Sequence, residues 1–260
     1  QIVDIYGNFL GTAGSSGGLA NNPYIAFDSY GRLLTADESG KVQSFAACSA
    51  SPVPTHTPVR DSRCLNHELT FGNTGGPDER ISLPAGIAAD ASGNVLVQDY
   101  YSRIFRFGDD GSLQGIMALG NGTGGQVNTF SRFAVDDAGR MLVPAGGFIY
   151  VYGTGGQFLA KIGSPGSGQM QFDSPEDVAA DDKGNIYVAD SGYNRIQKIH
   201  LDNNNFPSFV RAWGTFGSQG GQMNGPVGIA VDNEGFVYVA ERGNNRISKF
   251  DNNGNFILKW

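Results

Sequence analysis

Basic residues are scarce in this sequence: 18 Lys and Arg stand against 25 Asp and Glu, for a net charge of −7. Nucleic-acid binders usually present a basic field that displaces counterions from phosphates, so nucleic acid is disfavoured as a partner. Long apolar runs are missing too. Nothing approaches the roughly 20 consecutive apolar residues that a membrane helix needs, so no membrane span is expected in this segment. The start, Gln1-Ile2-Val3-Asp4, has neither an initiating Met nor the look of a signal peptide, which suggests a segment cut from a longer precursor. Charged residues make up only 17% of the chain, too few for a coiled or disordered polymer. There is no Ser-His-Asp grouping, no CxxC and no phosphate-cradling motif; glycine-rich runs such as Gly120-Asn121-Gly122-Thr123-Gly124-Gly125 lack a following helix or Lys. What the chain has in quantity is glycine, 39 of 260 residues, and that punctuation suits one large all-β domain.

The apolar segments repeat. Five short runs end in Asp: Tyr24 to Asp28, Gly86 to Asp90, Arg132 to Asp136, Asp177 to Asp181 and Gly228 to Asp232. Each has Ala at its middle (Ala26, Ala88, Ala134, Ala179, Ala230) and Gly three residues after the Asp. Asp-x-x-Gly between two β-forming runs reads as a tight hairpin, because Asp bonds its own downstream backbone and Gly accepts a positive φ. These aspartates are therefore expected in turns rather than in catalysis. A second strand, a loop, an alternating third strand such as Arg195-Ile196-Gln197-Lys198-Ile199, a further turn and a fourth strand follow. Four antiparallel strands per repeat of roughly 45 residues is the pattern of a propeller blade.

Two copies are the most regular. Trp213-Gly214-Thr215-Phe216-Gly217, Gly221-Gln222-Met223, Pro226-Val227-Gly228-Ile229-Ala230-Val231-Asp232, Val237-Tyr238-Val239-Ala240-Glu241 and Asn244-Asn245-Arg246-Ile247 together resemble the NHL repeat. The preceding copy offers Gly163, Gly168-Gln169-Met170-Gln171-Phe172, Pro175, Asp190 and Tyr193-Asn194-Arg195-Ile196. The resemblance implies an all-β, NHL-type β-propeller of six blades. This chain would hold five complete blades and the outer half of a sixth: residues 1–14 (half-blade), 22–72 (with an insertion at 47–66), 83–120, 129–163, 174–214 and 225–260. The inner pair of the sixth blade would come from flanking sequence or a second chain, because closure removes exposed sheet edges.

Candidate site residues fall into three groups. Acids and bases flank the loop between the second and third strands (Asp37 and Lys41, Asp99 and Arg103, Asp190 and Arg195, Glu241 and Arg246), which points to charge-assisted bonds that fix the loop. The middle blade has Ala145 and Phe148 there instead. The starts of the inner strands carry Tyr24, Arg132 and the pair Glu176 and Asp177 where two other blades have Gly86 and Gly228. These four are the ligand-binding rim candidates, and the competing reading is an ion pair that ties blades 3 and 4 together. Finally, Cys48 and Cys64 bracket a Pro-, Ser- and Thr-rich insertion, and a disulfide over their 16-residue spacing would contribute about 3 kcal/mol and indicate an oxidising compartment.

Two functional classes follow. The first is a non-enzymatic, secreted or extracellular binding scaffold for a protein, peptide or glycan, needing no cofactor. The second, implied by resemblance to propeller enzymes, is a metal-dependent lyase or a hydrolase of gluconolactonase and paraoxonase type, with calcium on Glu176, Asp177 and Asn22. Arg132 would repel that cation, and His56, His67 and His200 fall outside the rim, where a zinc lyase would need them. RNA binding, known for some NHL domains, suits an acidic chain poorly.

Overall fold

The computed structural model describes residues 2–3, 9–11, 24–27, 33–36, 40–47, 65–72, 79–120, 122–123, 127 and 132–260. A first hairpin pairs β1 (Ile2–Val3) with β2 (Phe9–Gly11). Five four-stranded antiparallel sheets follow. Sheet 1 comprises β3 (Tyr24–Phe27), β4 (Leu33–Ala36), β5 (Val42–Ala47) and β6 (Leu65–Phe71). Sheet 2 comprises β7 (Pro84–Ala89), β8 (Val95–Asp99), β9 (Arg103–Phe107) and β10 (Leu113–Ala118). Sheet 3 is built from β11 (Ala134–Val135), β12 (Met141–Ala145), β13 (Phe148–Tyr152) and β14 (Phe158–Ile162). A short parallel pair, β15 (Ser164–Pro165) and β16 (Gln171–Phe172), precedes sheet 4, which holds β17 (Pro175–Ala180), β18 (Asn185–Asp190), β19 (Arg195–Leu201) and β20 (Pro207–Trp213). Sheet 5 holds β21 (Pro226–Val231), β22 (Val237–Glu241), β23 (Arg246–Phe250) and β24 (Phe256–Lys259). In every sheet the Ala-x-Asp strand is an end strand of the order, and the repeated four-strand blades form a β-propeller. Among the described residues no helix is long and apolar enough to cross a membrane.

The turns follow from the sequence. Asp90 Oδ1 accepts the N–H groups of Ser92 and Asn94, and Gly93 takes φ +80°, so the carboxylate organises the turn and glycine closes it without a Cβ penalty. Asp181 and Asp232 repeat the arrangement. The turns between third and fourth strands use it as well: Asp251 accepts from Asn253 and Asn255, and Asp202 from Asn204 and Phe206. The first hairpin has the same register, since Val3 faces Phe9 and Ile2 faces Gly11 across a bulge, as Phe250 faces Phe256 and Lys249 faces Leu258.

Sheet 3 departs from its neighbours at both ends of its inner strands. A strand is expected from Arg132 to Asp136, yet β11 is two residues long. The N–H of Arg132 goes instead to Glu176 O at 3.2 Å, so the segment starts against β17 before joining β12. At the loop that lacks an acid and a base, Ala145 faces Phe148 directly. Gly146 (φ +57°) and Gly147 (φ +80°) alone make the turn, a two-residue hairpin with both central residues in the left-handed region.

Two compact units emerge, residues 1–97 with 105–115 and residues 98–104 with 116–260. The core of the first unit packs Leu34, Val42, Phe71, Val97 and Phe105. The second unit has two cores, one joining sheets 3 and 4 around Leu142, Val151, Phe172 and Val188, the other joining sheets 4 and 5 around Tyr187, Met223, Val239 and Phe250. Middle strands covered on both faces read as continuous apolar runs, as in Ile186 to Ala189, whereas the outermost β10, β14, β20 and β24 are largely exposed.

Candidate functional site

Most of the conspicuous charges hold loops. Asp190 is fully buried at the end of β18, and Arg195 Nε donates to its Oδ2 at 2.8 Å. The same guanidinium reaches back to the connection before β17, donating to Ser167 O at 2.7 Å, Gly168 O at 3.1 Å and Gln171 O at 2.9 Å. In sheet 5, Arg246 joins Glu241 to the carbonyls of Ser218, Gln219 and Gln222. Arg103 meets Asp99 at 2.7 Å in sheet 2. The reach into the preceding connection is absent from the sequence reading. Its signal is the repeated Gln: Gln171 and Gln222 each accept a backbone N–H of their own loop through Oε1, which shows that Gln171-Phe172 corresponds to Gln222-Met223.

Burial acts on both acids. It pushes Asp190 above the usual carboxylate range despite Arg195. Burial raises Glu241 too, but donors from Arg246, Ser248, Asn244 and the Asn224 N–H outweigh it and leave Glu241 below its ordinary value. Of the fourth expected pair, Asp37 lies outside the described residues, as do Asn22, His56, Cys48 and Cys64. Tyr24 begins β3 opposite Ala36, and its side chain is outside the described set.

The starts of the inner strands converge in the second unit. Arg132 Nη1 donates to Val227 O at 2.8 Å and stands 3.8 Å from Asp177 Oδ2. Asp177 is 6% exposed, and its oxygens accept the N–H of Val178 at 2.9 Å and, across the gap to β21, of Ile229 at 3.0 Å. Desolvation raises its pKa to about 7, against the Ile229 N–H, the Arg132 charge and the Val178 N–H. Arg132 keeps half of its side chain exposed. Glu176 contributes its carbonyl to the Arg132 N–H, and the residue is half-buried.

Exposed aromatic rings lie at the same end of the sheets. Antiparallel order puts the loops between second and third strands beside the starts of the first strands, and the Gly192 N–H bond to Asp173 O makes that contact in sheet 4. Tyr100 and Tyr101 project from this loop in sheet 2, Tyr101 at 62% exposure, and Tyr193 projects in sheet 4. Phe216, 69% exposed, precedes sheet 5. Arg103 and Arg195, the loop-holding arginines, lie over Tyr101 and Tyr193 at 5.9 and 5.1 Å. No ionisable motif marks these rings. Their signal in the sequence is aromatic residues inside otherwise polar loops.

The metal readings find little support in the donor chemistry. Both Asp177 oxygens are engaged by backbone N–H groups and a guanidinium stands beside them, which does not fit a Ca²⁺ cage of 6–8 oxygens. Among the described residues no three His, Cys, Asp or Glu side chains lie close enough to share a metal ion. His200 faces Asn185 at the far end of sheet 4 from Asp177.

The NHL repeat family model matches residues 172–199 and 223–250, each running from three residues before the inner strand into the third strand. NHL repeat-containing protein 3 from Homo sapiens is 32% identical over 120 residues, covering 42% of this chain and 33% of the human protein. The chain thus spans about a third of that relative's length. Among solved structures, a protein of unknown function from Bacteroides caccae has a TM-score of 0.61 at 16% identity over 93% of this chain and 83% of its own. Streptogramin B lyase has a TM-score of 0.57 at 14% identity over 92% and 68%. At such identities the likeness shows the fold alone. The chain thus carries two NHL repeats, at residues 172–199 and 223–250, within a β-propeller fold shared along nearly its whole length.

Proposed function

We propose that the chain is a non-enzymatic extracellular scaffold that presents its loops and inner-strand starts to a protein, peptide or glycan. NHL propellers generally mediate protein interactions. The observation that carries the reading here is the row of exposed rings, Tyr100, Tyr101, Tyr193 and Phe216, at the sheet ends where Arg132 also lies. Aromatic side chains give large contact area at low conformational cost, and clamped loops keep them in place. The test is binding to peptide and glycan arrays by the wild type and by a Tyr101→Ala, Tyr193→Ala double variant. The expected result is loss of signal of tenfold or more with an unchanged melting temperature; binding that survives the double variant overturns the reading.

The extracellular assignment rests on the Cys48 and Cys64 pair at the ends of a Pro-rich insertion. The first hairpin is read as the outer half of a sixth blade, completed by a flanking segment or a second chain, because its register is that of β23 on β24. A metal-dependent lyase or hydrolase is the second reading, supported by the fold shared with streptogramin B lyase. Stoichiometric metal in the purified protein would favour it.

A further inference from the structure

We propose that Arg132 anchors a carboxylate-binding subsite at the inner-strand starts, which takes the free α-carboxylate or an acidic side chain of a peptide. The inference rests on the scaffold reading and deepens it by naming the charge of the ligand.

The guanidinium is fixed at one edge and open at the other. The N–H of Arg132 is bound to Glu176 O, and Nη1 reaches Val227 O at 2.8 Å, so the side chain crosses from sheet 3 past the start of β17 to β21. Half of it stays exposed. A guanidinium has five N–H donors in a rigid plane, so tethering one nitrogen to a neutral carbonyl orients the others without neutralising the charge.

Its charge is also poorly matched locally. Arg103, Arg140, Arg195 and Arg246 each place Nε on a carboxylate at 2.7 to 2.9 Å. Arg132 makes no such bond among the described residues: Asp177 Oδ2 is 3.8 Å away, and both of its oxygens face backbone N–H groups. Asp177 and its sequence neighbour Glu176 are acids that oppose an incoming anion, so a ligand must make directed bonds to the guanidinium to be held.

Gly228 supplies the third observation. Its φ is not in the left-handed region, so backbone conformation does not require glycine there. A Cβ would lie 3.0 Å from Arg132 Nη1, 3.3 Å from Ala240 Cβ on the paired strand and 3.8 Å from Asp177 Oδ2, with the guanidinium the nearest neighbour. Glycine is what lets the cation lie across the rim with an open flank, and a carboxylate matches the remaining fork in a bidentate bond.

The test follows the side-chain Nε–H resonances of arginine in ¹⁵N-labelled protein, assigned with Arg132→Gln, during titration with N-acetyl-Gly-Gly carrying a free carboxylate, its amide and inorganic phosphate. The expected result is an Arg132 shift that saturates at a concentration at least tenfold below that of exposed Arg242, with the acid and not with the amide. Gly228→Ala should weaken this at least threefold without removing the guanidinium, which guards against a folding defect in Arg132→Gln. An Arg132 response no stronger than that of Arg242, an equal response to the amide, or tighter saturation by phosphate would each overturn the carboxylate assignment. Because the scaffold reading is tested at Tyr101 and Tyr193, it can stand when this subsite fails.

Discussion

At the residue scale, Asp177 governs what the rim does with pH. Its native pKa is raised to about 7, whereas an unfolded aspartate titrates near ~4, so the folded state holds the proton more tightly. The stability it contributes is complete below about pH 4 and is lost as pH rises through about 7. Asp177→Asn mimics the protonated form, so the wild-type melting temperature should fall between pH 4 and pH 8 by more than the variant's does. An equal fall in both proteins would show that Asp177 is not the titrating group.

At the scale of elements, the loops separate geometry from charge. Gly146 and Gly147 both have positive φ, but a Cβ on Gly146 meets nothing within 4 Å, whereas one on Gly147 lies 3.0 Å from Pro165 Cγ and 3.2 Å from Phe172 O. Gly146→Asn should therefore cost less than about 0.5 kcal/mol, since Asn tolerates the left-handed region, while Gly147→Ala should cost about 1–3 kcal/mol in urea unfolding. In the clamped loops the loss is electrostatic. Arg195→Ala leaves Asp190 buried without its cation and removes the guanidinium bonds to Ser167 O, Gly168 O and Gln171 O, although Gly168 O keeps the Gln171 N–H and Gln171 O keeps Gln197 Nε2, for a cost of about 3–5 kcal/mol. Limited proteolysis should then cut first within residues 163–172, and unchanged proteolysis would mean that Gln171, Gln197 and the backbone bonds hold the loop without Arg195.

At the scale of the whole molecule, the sheets are not equally covered. Ala179, Tyr187, Ala189 and Ile196 of sheet 4 are buried, and the core they form includes sheet 5. Their counterparts Ala230, Tyr238, Ala240 and Ile247 are only partly buried or exposed. Native-state hydrogen exchange should accordingly be faster across β21 and β22 than across β17 and β18, and equal protection would show that sheet 5 is covered in solution. The insertion bracketed by Cys48 and Cys64 springs from β5 and β6 where Ala47 faces Leu65. Non-reducing intact mass should be lower than the reduced mass by two hydrogens, and equal masses would remove the support for an oxidising compartment.

The sequence by itself determined whatever depends on neighbours along the chain. Asp-x-x-Gly named the hairpins because the carboxylate and the positive φ act within a few residues, and the Ala-x-Asp runs named the inner strands because a small residue recurs at one register position. The acid and base of the second-to-third-strand loops in sheets 2, 4 and 5 were legible for the same reason. Only tertiary structure decided where those side chains point beyond their own loop. Arg195 and Arg246 reach carbonyls about 24 to 28 residues earlier, and Arg132 reaches Val227, 95 residues away. The shortened β11 has the same origin, since Glu176 competes for the Arg132 N–H only once two sheets lie side by side. The exposed tyrosines were in plain view as letters, but an aromatic residue reads as core until packing shows which rings the cores of the second unit leave outside.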